Sequence, residues 1–155
     1  DYQPSRGLGD VYKRQDIALS SDFIIGFPGE TDKDFEDTID LIERVKYMNS
    51  YSFKYSPRPG TPAADREEID EEILNERLKI TQDLLNEQQI EYNNQFVKKT
   101  VQVLIDGAGN RSGQIKGKSQ FNQSVALQGE KETIGQIIPV QIKEVLTHSL
   151  LGEKI

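Results

Sequence analysis

The chain has 155 residues, with 19 Lys/Arg against 26 Asp/Glu, no Cys, no Trp, one His and one Met. That length allows one or two small domains, and the lack of Cys excludes disulfides and any Cys-ligated metal or cluster site within the chain. No apolar stretch approaches the ~18 residues of a membrane span and no charged, apolar-cored signal segment precedes the first predicted strand, so a soluble cytoplasmic protein is expected.

In chain order, residues 1–15 (DYQPSRGLGDVYKRQ) lack hydrophobic periodicity. They look like translated adapter sequence and are set aside as a non-native or disordered extension. Phe23, Ile24, Ile25 and Phe27 form an apolar run that suits a strand buried on both faces. Gly26 interrupts it, and Pro28 and Gly29 end it. Thr31 then offers a helix N-cap, with Asp32 and Asp34 in the first turn. Phe35, Ile39 and Ile42 follow at helical spacing, with Leu41 and Val45 beside them. Tyr51, Phe53 and Tyr55 alternate with Ser52, Lys54 and Ser56, which predicts a second strand. Pro57, Pro59, Gly60 and Pro62 forbid helix after it.

Strand, helix, strand in this order is a βαβ unit. Both strands of such a unit end on one edge, where α/β folds place ligands. The loops after Ile25 and after Tyr55 are therefore expected around a common cleft. A long helix is predicted over residues 67–95, patterned by Ile69, Ile73, Leu78, Leu84, Leu85 and Ile90.

The remainder changes character. VQVLID (101–106), GQIKGK (113–118), SVALQG (124–129), QIIPVQIKEV (136–145) and a closing SLLGEKI are short β-like runs punctuated by Gly, Asn and Ser. They predict a small closed antiparallel barrel of oligonucleotide-binding type. Charge divides at the same place. Residues 16–96 hold 8 Lys/Arg against 19 Asp/Glu, and residues 97–155 hold 8 against 5. An acidic body with a basic tail hints that the tail meets a polyanion.

Two groups of residues carry candidate chemistry. Gly26-Phe27-Pro28-Gly29-Glu30 either offers backbone amides to a carboxylate or nucleoside, or is an ordinary βα turn ending in a helix cap. It is not a P-loop, because no Gly-Lys-Ser/Thr follows. Arg58, stiffened between two prolines, is placed to pair with a carboxylate or phosphate, with Tyr55 and Ser56 as adjacent hydroxyl donors. In the tail, Lys98, Lys99, Arg111, Lys116, Lys118 and Lys143 supply the positive balance. That charge serves either phosphate contacts or a solvated surface. His148 has no Cys or His partner and is expected at the surface.

SDFIIGFPGET followed by YSFKYSPRPGTPAA closely resembles the radical S-adenosylmethionine methylthiotransferases. Within them it is most similar to the branch acting on N6-isopentenyladenosine in tRNA. LNEQQIEYNNQFVKKTVQVLIDG resembles the helix and linker entering the family's TRAM domain, an RNA-binding β-barrel. The resemblance covers roughly residues 17–155. It implies the last βα units of a partial radical-SAM TIM barrel over residues 16–96 and a TRAM domain over residues 97–155. It implies S-adenosylmethionine at Gly26, Phe27, Gly29, Ser56 and Arg58, and the tRNA anticodon arm at Lys99, Arg111, Lys116 and Lys118. It also implies two [4Fe-4S] clusters whose cysteine ligands lie in a missing N-terminal part of the same polypeptide, so that this chain is inactive alone. Two positions depart from the family pattern: Lys98 stands where Gly is common, and Leu151 where Arg is common. Alternatives are the threonylcarbamoyladenosine branch of the same family and a non-catalytic RNA-binding module.

Overall fold

The computed structural model describes residues 17–155, so the expectation for residues 1–15 lies outside the described residues. The chain divides into two compact units, one formed by Leu19–Val97 and the other containing Lys98–Ile155.

The first unit holds β1 (Ser20–Ile25), α1 (Asp32–Val45), β2 (Asn49–Lys54) and α2 (Glu71–Asn94). α1 starts where predicted because Thr31 and Asp34 form a capping box. The Asp34 N–H donates to the Thr31 hydroxyl at 3.2 Å, and the Thr31 N–H donates to the Asp34 carboxylate at 2.9 Å. It ends at Lys46, which adopts φ 56 while its N–H donates to Ile42 O. Asp70 caps α2 by accepting the Glu72 N–H at 2.9 Å, which sets the helix start at Glu71, later than the sequence pattern suggests.

β1 and β2 are parallel, in register from Ser20 opposite Asn49 to Ile25 opposite Lys54. Phe23 and Ile25 pack on Ile42 and Leu85, with Tyr47, Leu78 and Leu84 around them. The Phe23 and Tyr47 rings meet edge to face at 5.4 Å. The expectation that β1 is buried on both faces fails. Ile24 is 59% exposed, as are Tyr51 at 60% and Phe53 at 53% on the same face. Paired residues of parallel strands share a face, and within this unit the helices pack on the other one.

The buried stripe of α2 also differs from the predicted pattern. It is Leu74, Arg77, Thr81, Leu85 and Gln88, whereas Ile73 and Ile90 are exposed. Three members are polar, and each makes a local bond, although Gln88 Oε1 is buried without a partner among the described residues. Thr81 Oγ1 donates to Arg77 O at 2.9 Å, Gln88 Nε2 donates to Ile42 O at 2.9 Å, and Arg77 binds carboxylates. Apolar periodicity cannot find such a stripe.

The second unit is a closed barrel of β3 (Thr100–Ala108), β4 (Gln114–Ser119), β5 (Ser124–Gln128), β6 (Ile137–Leu146) and β7 (Ser149–Lys154), ordered β3-β4-β5-β7-β6. Inward residues alternate with outward ones along each strand. Val101, Val103, Ile105, Ile115, Leu127 and Val140 are among the fully buried side chains. The barrel is not wholly antiparallel, because β5 and β7 pair in parallel. Five strands in a ring cannot all run opposite to both neighbours, so closure forces one parallel pair. A β3 irregularity between Ile105 and Gly107 helps the sheet curl. No helix among the described residues is long and apolar enough to cross a membrane.

Candidate ligand loops and nucleic-acid face

The loops after β1 and β2 leave the same end of the parallel pair. The Tyr55 N–H donates to Ile25 O at 2.8 Å, extending the ladder one step past the strands. Beyond it the Phe27 and Tyr55 rings meet edge to face, centroids 5.3 Å apart. Gly26, Phe27 and Ser56 therefore emerge together, and Arg58 follows two residues on with an exposed side chain. The Arg58 carbonyl accepts both the Thr61 N–H at 3.2 Å and its hydroxyl at 2.8 Å, which stiffens the proline loop. Gly29 opens elsewhere. It lines a 390 Å³ depression with Pro28, Arg66, Glu67, Glu68 and Ile69, to which neither Ser56 nor Arg58 contributes.

Gly26 is buried at φ 77, and a Cβ there would lie 2.6 Å from the Leu74 side chain on α2. Only glycine allows both the turn and that approach. Its amide does not face outward, because it donates to Glu30 Oε2 at 2.9 Å. The Glu30 N–H in turn donates to Phe27 O at 2.8 Å. These amides close the turn on itself, and what it presents is the half-exposed Phe27 ring.

Sequence reasoning missed the residue that holds this turn. Arg77 Nη1 lies 2.7 Å from Glu30 Oε1, with side chains only 8% and 12% exposed. Nη2 lies 2.6 Å from Asp32 Oδ1, a carboxylate 94% exposed that adds little. The guanidinium also sits over the Phe35 ring, 5.4 Å from its centroid. Removing one partner of a buried pair costs about 3–5 kcal/mol, because the other charge is left unpaired. The available signal was one Arg recurring at the helical spacing of Leu74, Thr81 and Leu85.

In the barrel, Lys116 and Lys118 both point outward from β4. Their register partners on β3 are Gly107 and Leu104. Lys118 Nζ donates to Ser124 Oγ at 2.9 Å across to β5. Arg111 is exposed in the β3–β4 turn, beyond the Lys116 end of the pair. Lys99 is exposed just before β3, at the end away from that turn, so it stands apart from the other three. The row of partners from Lys116 runs through Ala126 on β5 to Leu151 on β7, so Leu151 shares the outer face.

Residues 94–155 match the model of the TRAM domain. The barrel is a TRAM domain. Relatives named tRNA-2-methylthio-N(6)-dimethylallyladenosine synthase match much more of the chain than this domain alone. The protein of Rickettsia akari (strain Hartford) is 54% identical over 142 residues, 90% of this chain and 32% of its own length. That of Rickettsia felis (strain ATCC VR-1525 / URRWXCal2) is 52% identical over 144 residues, 92% of this chain and 32% of its own. That of Rickettsia canadensis (strain McKiel) is 51% identical over 142 residues, with 90% and 32% covered. The chain thus spans about a third of the length of these curated relatives. The resemblance to the C-terminal part of such synthases, with its TRAM domain, holds.

Proposed function

We propose that this chain is the C-terminal part of a tRNA methylthiotransferase that adds a 2-methylthio group to N6-isopentenyladenosine at position 37, next to the anticodon. The observation that supports it is identity above half, to the Rickettsia akari synthase, over 90% of the chain. The parallel β1–β2 pair with its helices is then the end of a partial radical-SAM TIM barrel over residues 16–96. Residues 97–155, the TRAM domain, grip the anticodon arm in the cytoplasm through Lys99, Arg111, Lys116 and Lys118.

S-adenosylmethionine supplies the radical and methyl chemistry when bound. The strand ends fit such a group: the Tyr55 hydroxyl is buried without a partner among the described residues, beside Phe27. Phe27, Ser56 and Arg58 are the residues to hold it there. Gly26 contributes by letting α2 close on the turn, whereas Gly29 faces the separate depression lined by Arg66 and Ile69. Arg58 is suited to pairing with the ligand's carboxylate. The residues present do not fit an iron–sulfur cluster. The chain has no Cys, and no His/Cys/Asp/Glu group among the described residues is able to hold a metal. The cluster ligands belong to the N-terminal part of the same polypeptide.

The test is to express the complete reading frame in a strain lacking the 2-methylthio modification and to analyse tRNA nucleosides by mass spectrometry. Appearance of 2-methylthio-N6-isopentenyladenosine is expected. Methylthiolation of threonylcarbamoyladenosine instead assigns the other branch, and RNA binding without either product assigns a non-catalytic module. In the complete protein, Arg58→Ala should weaken S-adenosylmethionine binding about tenfold, the scale of one charge-assisted bond.

A further inference from the structure

We propose that Arg77 is the positioning residue of the 26–30 turn: acting through Glu30, it sets the direction in which the Phe27 ring leaves the strand end. The proposal rests on reading this turn as ligand-facing.

One carboxylate joins α2 to the end of β1. Glu30 Oε1 accepts from Arg77 on α2, and Glu30 Oε2 accepts from the Gly26 N–H where β1 ends. Arg77 Nη1 also reaches Glu30 O at 3.4 Å. A glutamate on a short turn has several rotamers, and a planar guanidinium buried over the Phe35 ring selects one. One helical turn earlier, Leu74 rests against Gly26. The same face of α2 therefore grips the turn at its first residue and, through Arg77, at its last. Phe27 lies between the two grips, its carbonyl held by the Glu30 N–H and its ring against Tyr55. Stability by itself does not call for a buried ion pair here, since apolar side chains of similar volume often do as well. Fixing one register is the better attested use of such a pair.

The experiment is amide hydrogen exchange and NMR on the 155-residue chain. In Arg77→Met, protection of the Gly26 and Glu30 amides should fall about tenfold or more, as expected for local opening. The Phe27 ring resonances should move, while the Tyr55 amide keeps its protection. Arg77→Lys should restore part of the loss. Unchanged Gly26 protection in Arg77→Met overturns the proposal. So does an equal loss at every amide of the unit, which would make Arg77 a general core residue. If Arg77→Met does not fold, the near-isosteric Glu30→Gln decides. The Gly26 amide proton must move upfield when its acceptor loses charge, and no movement overturns the proposal. S-adenosylmethionine binding with Arg58→Ala tests the ligand-facing reading by itself, so either result stands if the other fails.

Discussion

Phe27 and Tyr55 meet edge to face, rings 5.3 Å apart and inclined at 74°, and so tie together two loops that the sequence separates by a whole helix. The Tyr55 hydroxyl at this contact is buried and has no hydrogen-bond partner among the described residues. A buried donor left unpaired costs about 1–3 kcal/mol. Tyr55→Phe should therefore leave stability unchanged or raise it by up to ~1 kcal/mol, read by chemical denaturation. Loss of more than ~1 kcal/mol would mean the hydroxyl has a partner.

The α1 cap carries a pH dependence. The Thr31 N–H and hydroxyl both donate to the Asp34 carboxylate and hold its pKa below the ordinary value. A carboxyl with a lowered folded pKa stabilises the fold above its unfolded pKa, and the contribution is lost as pH falls through the folded value. Asp34→Asn should be less stable than the native chain at neutral pH, and the gap should close in acid. Thr31→Ala should cost about 1 kcal/mol. A gap that persists in acid would show that the carboxylate is not the source.

At Gly117, β4 passes close against the β3 backbone. A Cβ there would lie 2.1 Å from Leu104 O and 2.9 Å from Ile105 Cα, both backbone atoms unable to swing away. Gly117→Ala should destabilise the barrel by about 1–3 kcal/mol. Gly135, at φ 88 with nothing within 4 Å of a Cβ, offers the contrast: Gly135→Ala strains the backbone but meets no neighbour. Thermal unfolding of both variants separates steric overlap from torsional cost.

If the outer face of β4 meets RNA, binding should weaken steeply with salt. Each phosphate that Lys116→Ala/Lys118→Ala leaves without its lysine should lower the magnitude of the log–log salt slope by roughly 0.7 to 0.9. Leu151→Arg, two strands from Lys116 on the same face, should raise it by a similar step. Filter binding of tRNA at several salt concentrations gives the slope. An unchanged slope in the double variant removes both lysines from the RNA face.

Much of this protein follows from sequence alone. Thr31-x-x-Asp34 places a helix start, because the capping groups are local. The five tail strands lie within a residue or two of their predicted bounds, because period-two burial and Gly punctuation are also local. Lys98 shows local logic of another kind: it adopts φ 68, a backbone conformation that favours glycine. Tertiary structure decided what depends on partners distant in the chain. The parallel β5–β7 pair comes from closing an odd ring, which no strand encodes by itself. The exposure of Ile24 depends on which face of the sheet the helices cover. Arg77 looks like any helix arginine until Glu30, 47 positions earlier, arrives beside it. A charge joins the core only when its partner's position is fixed, and that position is a property of the fold.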